Sequence, residues 1–151
     1  MTKYLPTAAR LLLGALFFVF GLNGFLNFLP QPPLSPQGGA FLGALAATGY
    51  MFPLIKGTEV IVGALLLSNR FVPLALTLLA PVTVNILAFH SFLSPGLAVP
   101  LFAVTLQLYL AYSHRDAYRS VLTARSTEPA REPSHHPALP QTQQPALRNA
   151  A

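Results

Sequence analysis

The chain has 151 residues, a formal net charge of +5, and only 9% charged residues at a mean hydropathy of +0.54. A soluble domain carries roughly 25% charged residues, so an ordinary soluble fold is excluded. The basic residues sit at the ends of apolar stretches instead of forming a stripe, which excludes nucleic acid as a partner, and the lack of cysteine excludes disulfides, cysteine-ligated zinc and iron–sulfur clusters built from this chain.

Residues 1–8 read as a cytoplasmic N-terminus. A first span is expected over about 9–29, close to the roughly 20 residues a bilayer core requires, closed by Pro30. Lys3 and Arg10 precede it as they would a signal peptide, but no A-x-A-like site follows, so a retained span is expected. QPPLSPQGG then reads as a loop, because its prolines and paired glycines break helices. The next apolar stretch, Ala40 to Leu67, is too long for one ordinary span and carries Pro53 in its middle. It divides into a short re-entrant or interfacial helix over about 40–50 and a second span over about 52–67. A third span is expected over about 71–92, with Pro73 in its first turn and Pro81 inside, where a kink is expected. A fourth follows over about 97–112, with an interfacial continuation through HRDAYRSVL. The membrane domain thus covers 9–122. From 123 to 151 the composition turns to Pro, Ala, Gln, Ser and Arg, too poor in large apolar residues to offset ordering entropy, so this stretch reads as a disordered cytoplasmic tail.

The fold class expected is all-α: an integral membrane four-helix bundle with a short extra helix between spans one and two. Lys3 and Arg10, Arg70, and Arg115, Arg119 and Arg125 fall on one side only if there are four spans. The positive-inside rule then puts both termini in the cytoplasm of a multi-pass inner (plasma) membrane protein.

Between Ala8 and Tyr112 the groups that readily carry charge are Arg10, Lys56, Glu59, Arg70 and His90. An ionisable group inside an apolar span is costly unless it faces protein or a wet cavity, which makes it a functional candidate by default. In the expected topology Asn23 and Asn27, Lys56 and Glu59, and Asn85 and His90 all fall in the outer parts of their spans, where they would line one pocket. Asn23 and Asn27 are four apart and Lys56 and Glu59 three apart, so each pair shares a helix face. Glu59 is suited to binding a polar ligand or relaying protons, with Lys56 tuning its charge. Structural readings stand beside these: an intrahelical ion pair for Lys56 and Glu59, interhelical hydrogen bonds for the asparagines, and a helix-end role for His90. Gly14, Gly21 and Gly63 read as close-packing positions. No metal site is expected, and His90 lacks a facing histidine for a bis-histidine haem. GLNG and GGAFLG lack the lysine and strand context of a phosphate loop.

The runs FGLNGFLNFLPQPP, then AFLGALAATGYMFPLIKGTEVIVGALLLSNRFVPLALTLLAPVTVNILAFH, then LQLYLAYSHRDAY resemble the DoxX family of small bacterial membrane proteins, over about Arg10 to Tyr118. KGTEVIVGALLL, with Lys56, Glu59 and Gly63, is the most telling piece. The resemblance implies a four-helix membrane protein related to a subunit of a thiosulfate:quinone oxidoreductase system and to members of oxidative-stress complexes, without implying that this chain is itself a catalyst. The function expected is an accessory or ligand-binding subunit of a membrane redox assembly. It would hold a quinone headgroup through Glu59, Lys56, Asn23, Asn27, Asn85 and His90. Its partners would be the lipid bilayer and membrane or peripheral redox subunits, with self-association left open. The alternatives are a small-molecule or ion transporter and a structural assembly factor.

Overall fold

The computed structural model describes residues 4–30 and 33–119, so the expected tail lies outside the described residues. Within them all regular structure is helical: α1 (Leu5–Leu26), α2 (Pro36–Ala47), α3 (Met51–Leu67), α4 (Val72–Phe92), α5 (Ala98–Ser113) and a 3-10 turn at Arg115–Tyr118. Helices α1 and α4, of 22 and 21 residues, are each long and apolar enough to cross a membrane; α2 and α3 pass that test only as a pair bent by 93°. Helix α5 is apolar but has only 16 residues.

Two boundaries depart from the sequence reading. Helix α1 begins at Leu5, with Pro6 in its first turn, and ends at Leu26 instead of 29. It stops because Asn27 adopts the left-handed conformation (φ 48°) and the Asn23 carboxamide oxygen accepts the Leu29 N–H at 2.7 Å. Helix α2 begins at Pro36 instead of 40, inside the stretch expected to be a loop. Ser35 is its N-cap, accepting the Gly38 N–H at 3.0 Å, and Pro36 at the first helical position loses no hydrogen bond there. The Ser35 hydroxyl also donates to the Leu93 carbonyl, which ties the start of α2 to the end of α4. Phe41 on α2 lies 5.9 Å from Phe89 on α4, ring centre to ring centre. Helix α4 continues unbroken through Pro81.

The most extensive packing is between α1 and α3, and glycines make it so. A Cβ on Gly14 would meet Leu66, one on Gly21 would stand 2.9 Å from the Val60 nitrogen, and one on Gly24 would collide with the Lys56 stem. From the other side, a Cβ on Gly63 would stand 2.7 Å from the Phe18 Cα. Positions rise along α1 as they fall along α3, so the two helices run antiparallel with their backbones nearly touching. Helix α1 also packs on α5, and α4 packs on both α3 and α5. Leu13, Phe17, Val62, Leu66, Ala75, Leu79, Ala103 and Leu110 fill the space between them and are buried.

Helix α3 ends in a Schellman motif: Asn69 is left-handed (φ 56°), its N–H donates to the Leu66 carbonyl at 3.2 Å, and the Arg70 N–H donates to the Leu65 carbonyl at 2.9 Å. Arg10 completes the end from α1 by donating to the Leu66 and Leu67 carbonyls, which have no partner within α3 itself.

The glycine seam yields a sharp contrast. Gly63→Ala pushes a methyl into Phe18 backbone and is expected to destabilise the fold by about 1–3 kcal/mol. Gly57→Ala meets nothing within 4 Å and is expected to be neutral or to stabilise by up to about 1 kcal/mol, as alanine is the better helix former. Unfolding of the two purified variants in one detergent measures both.

Candidate functional site

Helix α3 starts at Met51 and ends at Leu67, so Glu59 stands eight residues from each end, about 12 Å along the axis either way. Its side chain turns into the α1–α3 seam, against the gap left by Gly21, and only 1% of the residue is exposed. Lys56 lies one turn earlier on the same face, with its stem in the slot that Gly24 leaves open. Its ammonium donates to Glu59 Oε2 at 2.9 Å, and the Phe52 ring centre lies 5.9 Å from the same nitrogen. The lysine thus bends along its own helix onto the carboxylate instead of reaching away from it. Among the described residues Glu59 Oε1 has no hydrogen-bond partner.

The carboxylate therefore has one oxygen neutralised and one uncommitted, in a wall where glycines bring two backbones together. Lys56 spends one of its three hydrogens on Glu59 and keeps about a fifth of its side chain exposed. Together they hold spare donor hydrogens on the partly exposed Lys56 and a spare acceptor oxygen on the buried Glu59.

The other residues expected in this pocket are distributed differently. Asn23 is buried on α1 between Gly21 and Gly24, but its oxygen is committed to the Leu29 N–H. Asn27 is exposed and serves as the left-handed cap of α1. Asn85 is exposed on α4. His90 is half-buried; its Nδ1 lies 2.9 Å from the Ile86 carbonyl, and its ring meets Phe89 edge-on at 5.2 Å. Its ring faces Gly96 in the turn after α4, and it is Phe89, its neighbour, that meets α2. Glu59 and Lys56 are thus held together, Asn23 is their neighbour on the facing helix, and Asn27, Asn85 and His90 have separate positions.

Two residues passed over in the sequence reading carry weight here. Gly24 admits the Lys56 stem; the signal was its place on the same helix as Gly14 and Gly21, three residues after the latter. Gln107 is buried on α5 and donates through Nε2 to the Leu76 carbonyl at 3.0 Å. It is the single carboxamide in an otherwise apolar stretch from Leu97 to Tyr112, which by itself marks it as exceptional.

No family model matches the chain, and no curated protein or solved structure is similar to it. None of these comparisons supports the resemblance to the DoxX family expected from the sequence.

The pair predicts an asymmetric mutational response. Lys56→Met leaves the Glu59 carboxylate buried without its cation and is expected to cost on the order of 3 kcal/mol. The double variant Lys56→Met/Glu59→Leu is expected to recover most of that loss, since no unpaired buried charge remains. Thermal unfolding of the single and double variants under matched conditions reads the difference.

Proposed function

We propose that the chain is a multi-pass inner (plasma) membrane protein in which α1, α3, α4 and α5 form a four-helix bundle, with α2 lying at the outer interface. Both termini then face the cytoplasm. The two long apolar helices support this reading, as do large apolar side chains turned outward on several helices, among them Phe20, Phe25, Ile61, Leu74, Val84, Phe102 and Leu108. A soluble monomer does not expose so many of them. Arg70 and Arg115 lie at one end of the helices, where the positive-inside rule puts the cytoplasm.

Within that bundle the Glu59–Lys56 pair is a binding site for the polar headgroup of a membrane-soluble ligand, and the chain serves as an accessory or ligand-binding subunit of a membrane redox assembly. The observation that carries this is the Glu59 carboxylate: almost fully buried at mid-helix, paired through one oxygen, and uncommitted through the other. A quinone-type headgroup fits the chemistry, with a carbonyl oxygen accepting from Lys56 and its reduced hydroxyl donating to Glu59. The resemblance to the DoxX family points the same way.

Two measurements test these proposals. A decyl-substituted hydroquinone, kept reduced, is expected to bind wild-type protein in nanodiscs and to lose at least about tenfold in affinity in Glu59→Gln at unchanged thermal stability, which is the loss of one charge-assisted hydrogen bond. Wild-type affinity in that variant removes the role given to Glu59. Because the chain has no native cysteine, single substitutions report topology cleanly. A membrane-impermeant maleimide is expected to label Ser94→Cys in intact cells and Ser68→Cys only after disruption, and the reverse pattern overturns the orientation.

A further inference from the structure

Helices α4 and α5 diverge on the side away from α3 to leave an open groove of about 370 Å³, lined by Leu76, Thr77, Ala80 and Val84 of α4 and by Gln107 and Leu108 of α5, among others. Tyr118 closes one end, its hydroxyl donating to the Pro73 carbonyl at 2.8 Å. The volume is within the range of small-molecule sites.

What distinguishes this groove from a plain apolar furrow is the polarity left over in its wall. The hydroxyl hydrogens are spent inside the protein: Thr77 donates to Pro73 at 2.9 Å, Thr83 to Leu79 at 3.0 Å, and Tyr118 to Pro73. Acceptors remain. Gln107 is 93% buried, uses Nε2 on the Leu76 carbonyl, and has an Oε1 that accepts no hydrogen bond among the described residues. The Thr77 carbonyl has lost its usual helical donor, because the residue four positions on is Pro81. Both residues line the groove. In a bilayer no water is at hand to satisfy such acceptors, and an unfilled one costs several times more than it would in water.

We infer that the groove binds an apolar, membrane-soluble molecule that ends in a hydroxyl, an alcohol or phenol, whose hydrogen is donated to Gln107 Oε1. Gln107 lines the groove with its Oε1 buried, so the hydroxyl reaches that oxygen as the flexible Gln107 side chain shifts. The wall is otherwise apolar and Gln107 Oε1 is its unpartnered side-chain acceptor among the described residues, so this site prefers the hydroxylated form of a molecule over its oxidised, donor-free counterpart. The inference rests on the membrane placement proposed above but not on the role of Glu59, which lies on α3 outside this groove.

The test uses full-length protein in nanodiscs and a diazirine-bearing alkylphenol, with its methyl ether as the donor-free control. Trypsin cuts after Arg70 and Arg115 and nowhere between them, so a label on the α4 and α5 walls of the groove falls in residues 71–115 and one on Tyr118 in residues 116–119. Saturable labelling of those peptides by the phenol is expected, reduced about tenfold in the methyl ether. It is expected to fall to a similar extent in Gln107→Leu, and in Ala80→Phe, which fills the groove from its exposed wall. Glu59→Gln is expected to label like wild type. Equal labelling by phenol and ether, or labelling indifferent to both groove variants, overturns the inference, as does loss of the label in Glu59→Gln, which assigns the ligand to the other site. Should Gln107→Leu fail to fold, Ala80→Phe and the ether decide alone. Failure of the protein to insert into the nanodisc, read by co-elution before any labelling, strikes the membrane reading instead and is distinguishable from a labelling result.

Discussion

The near-contact of the α1 and α3 backbones is the constraint on which the remaining architecture depends. Gly14, Gly21, Gly24 and Gly63 remove side chains where any Cβ would meet the facing helix, and the result is an antiparallel pair with almost no space between its members. In a bilayer, lipid tails are as apolar as leucine, so helices are not driven together by escape from water. Close packing and interhelical polar contacts must supply the association instead. In the proposed membrane setting, substituting those glycines would remove the source of association itself, whereas in a water-soluble core the same change would be partly offset by greater apolar burial.

That seam is also where the chain keeps its most expensive side chains. A buried ion pair is a weak contributor to stability, since desolvating two charges roughly cancels their attraction, and well-packed apolar residues at the same positions often do better. Gly24 could be any small residue if it faced a leucine; it is glycine, and it faces the stem of Lys56. The slot is shaped to hold a lysine that neutralises Glu59 on one oxygen only. Most other polar groups in the chain have a nameable structural duty. Arg10 closes the end of α3, Asn69 turns the chain after it, Ser35 starts α2 and ties it to α4, and Asn23 and Asn27 end α1. Set against those fully occupied groups, the uncommitted oxygen of Glu59 and the unfilled acceptor of Gln107 are the exceptions.

Much of this was legible from residue order, and the parts that were not share a cause. The five apolar helical segments, the break before Met51 and the turn at Ser68–Arg70 follow from apolar length and from Pro, Gly and Asn as local punctuation. Lys56 and Glu59 stand out because charge inside an apolar run is rare. Hidden from the sequence was what each polar residue spends its hydrogen bonds on. Asn23 and Asn27 look like a pocket-facing pair four residues apart, yet the first captures a backbone N–H six residues on and the second is a left-handed cap, both because the helix ends there. The start of α2 was missed for a related reason: Pro and two glycines argue against a helix by propensity, but Ser-Pro is also a strong N-terminal signal, and the contact with Phe89 and Leu93 decides in its favour. Gln107 needed only the attention already given to Glu59, since a lone carboxamide in an apolar span is exceptional for the same reason.

Under the proposed membrane placement, the helix lengths set where the bilayer would lie. Opposite residues of α1 and α3 add to about eighty, so the end of α3 at Leu67 is level with Gly14, and the first turns of α1 project beyond it. Arg10 spans that step, with its guanidinium on the last carbonyls of α3 and its backbone on the projecting part of α1. A cation fixed on helix-terminal carbonyls is most stable at the headgroup level, where water and phosphate share its remaining hydrogens. In the proposed orientation Arg10 would mark the cytoplasmic interface, and the axial rise from there would put Glu59 about 12 Å inside, near the middle of a helix about 25 Å long. A helix that short demands either a locally thinned bilayer or cover at its outer end. The bent junction with α2 would supply the cover: Pro36–Ala47 turns away from α3 at 93°, which in the proposed orientation lays it across the outer end.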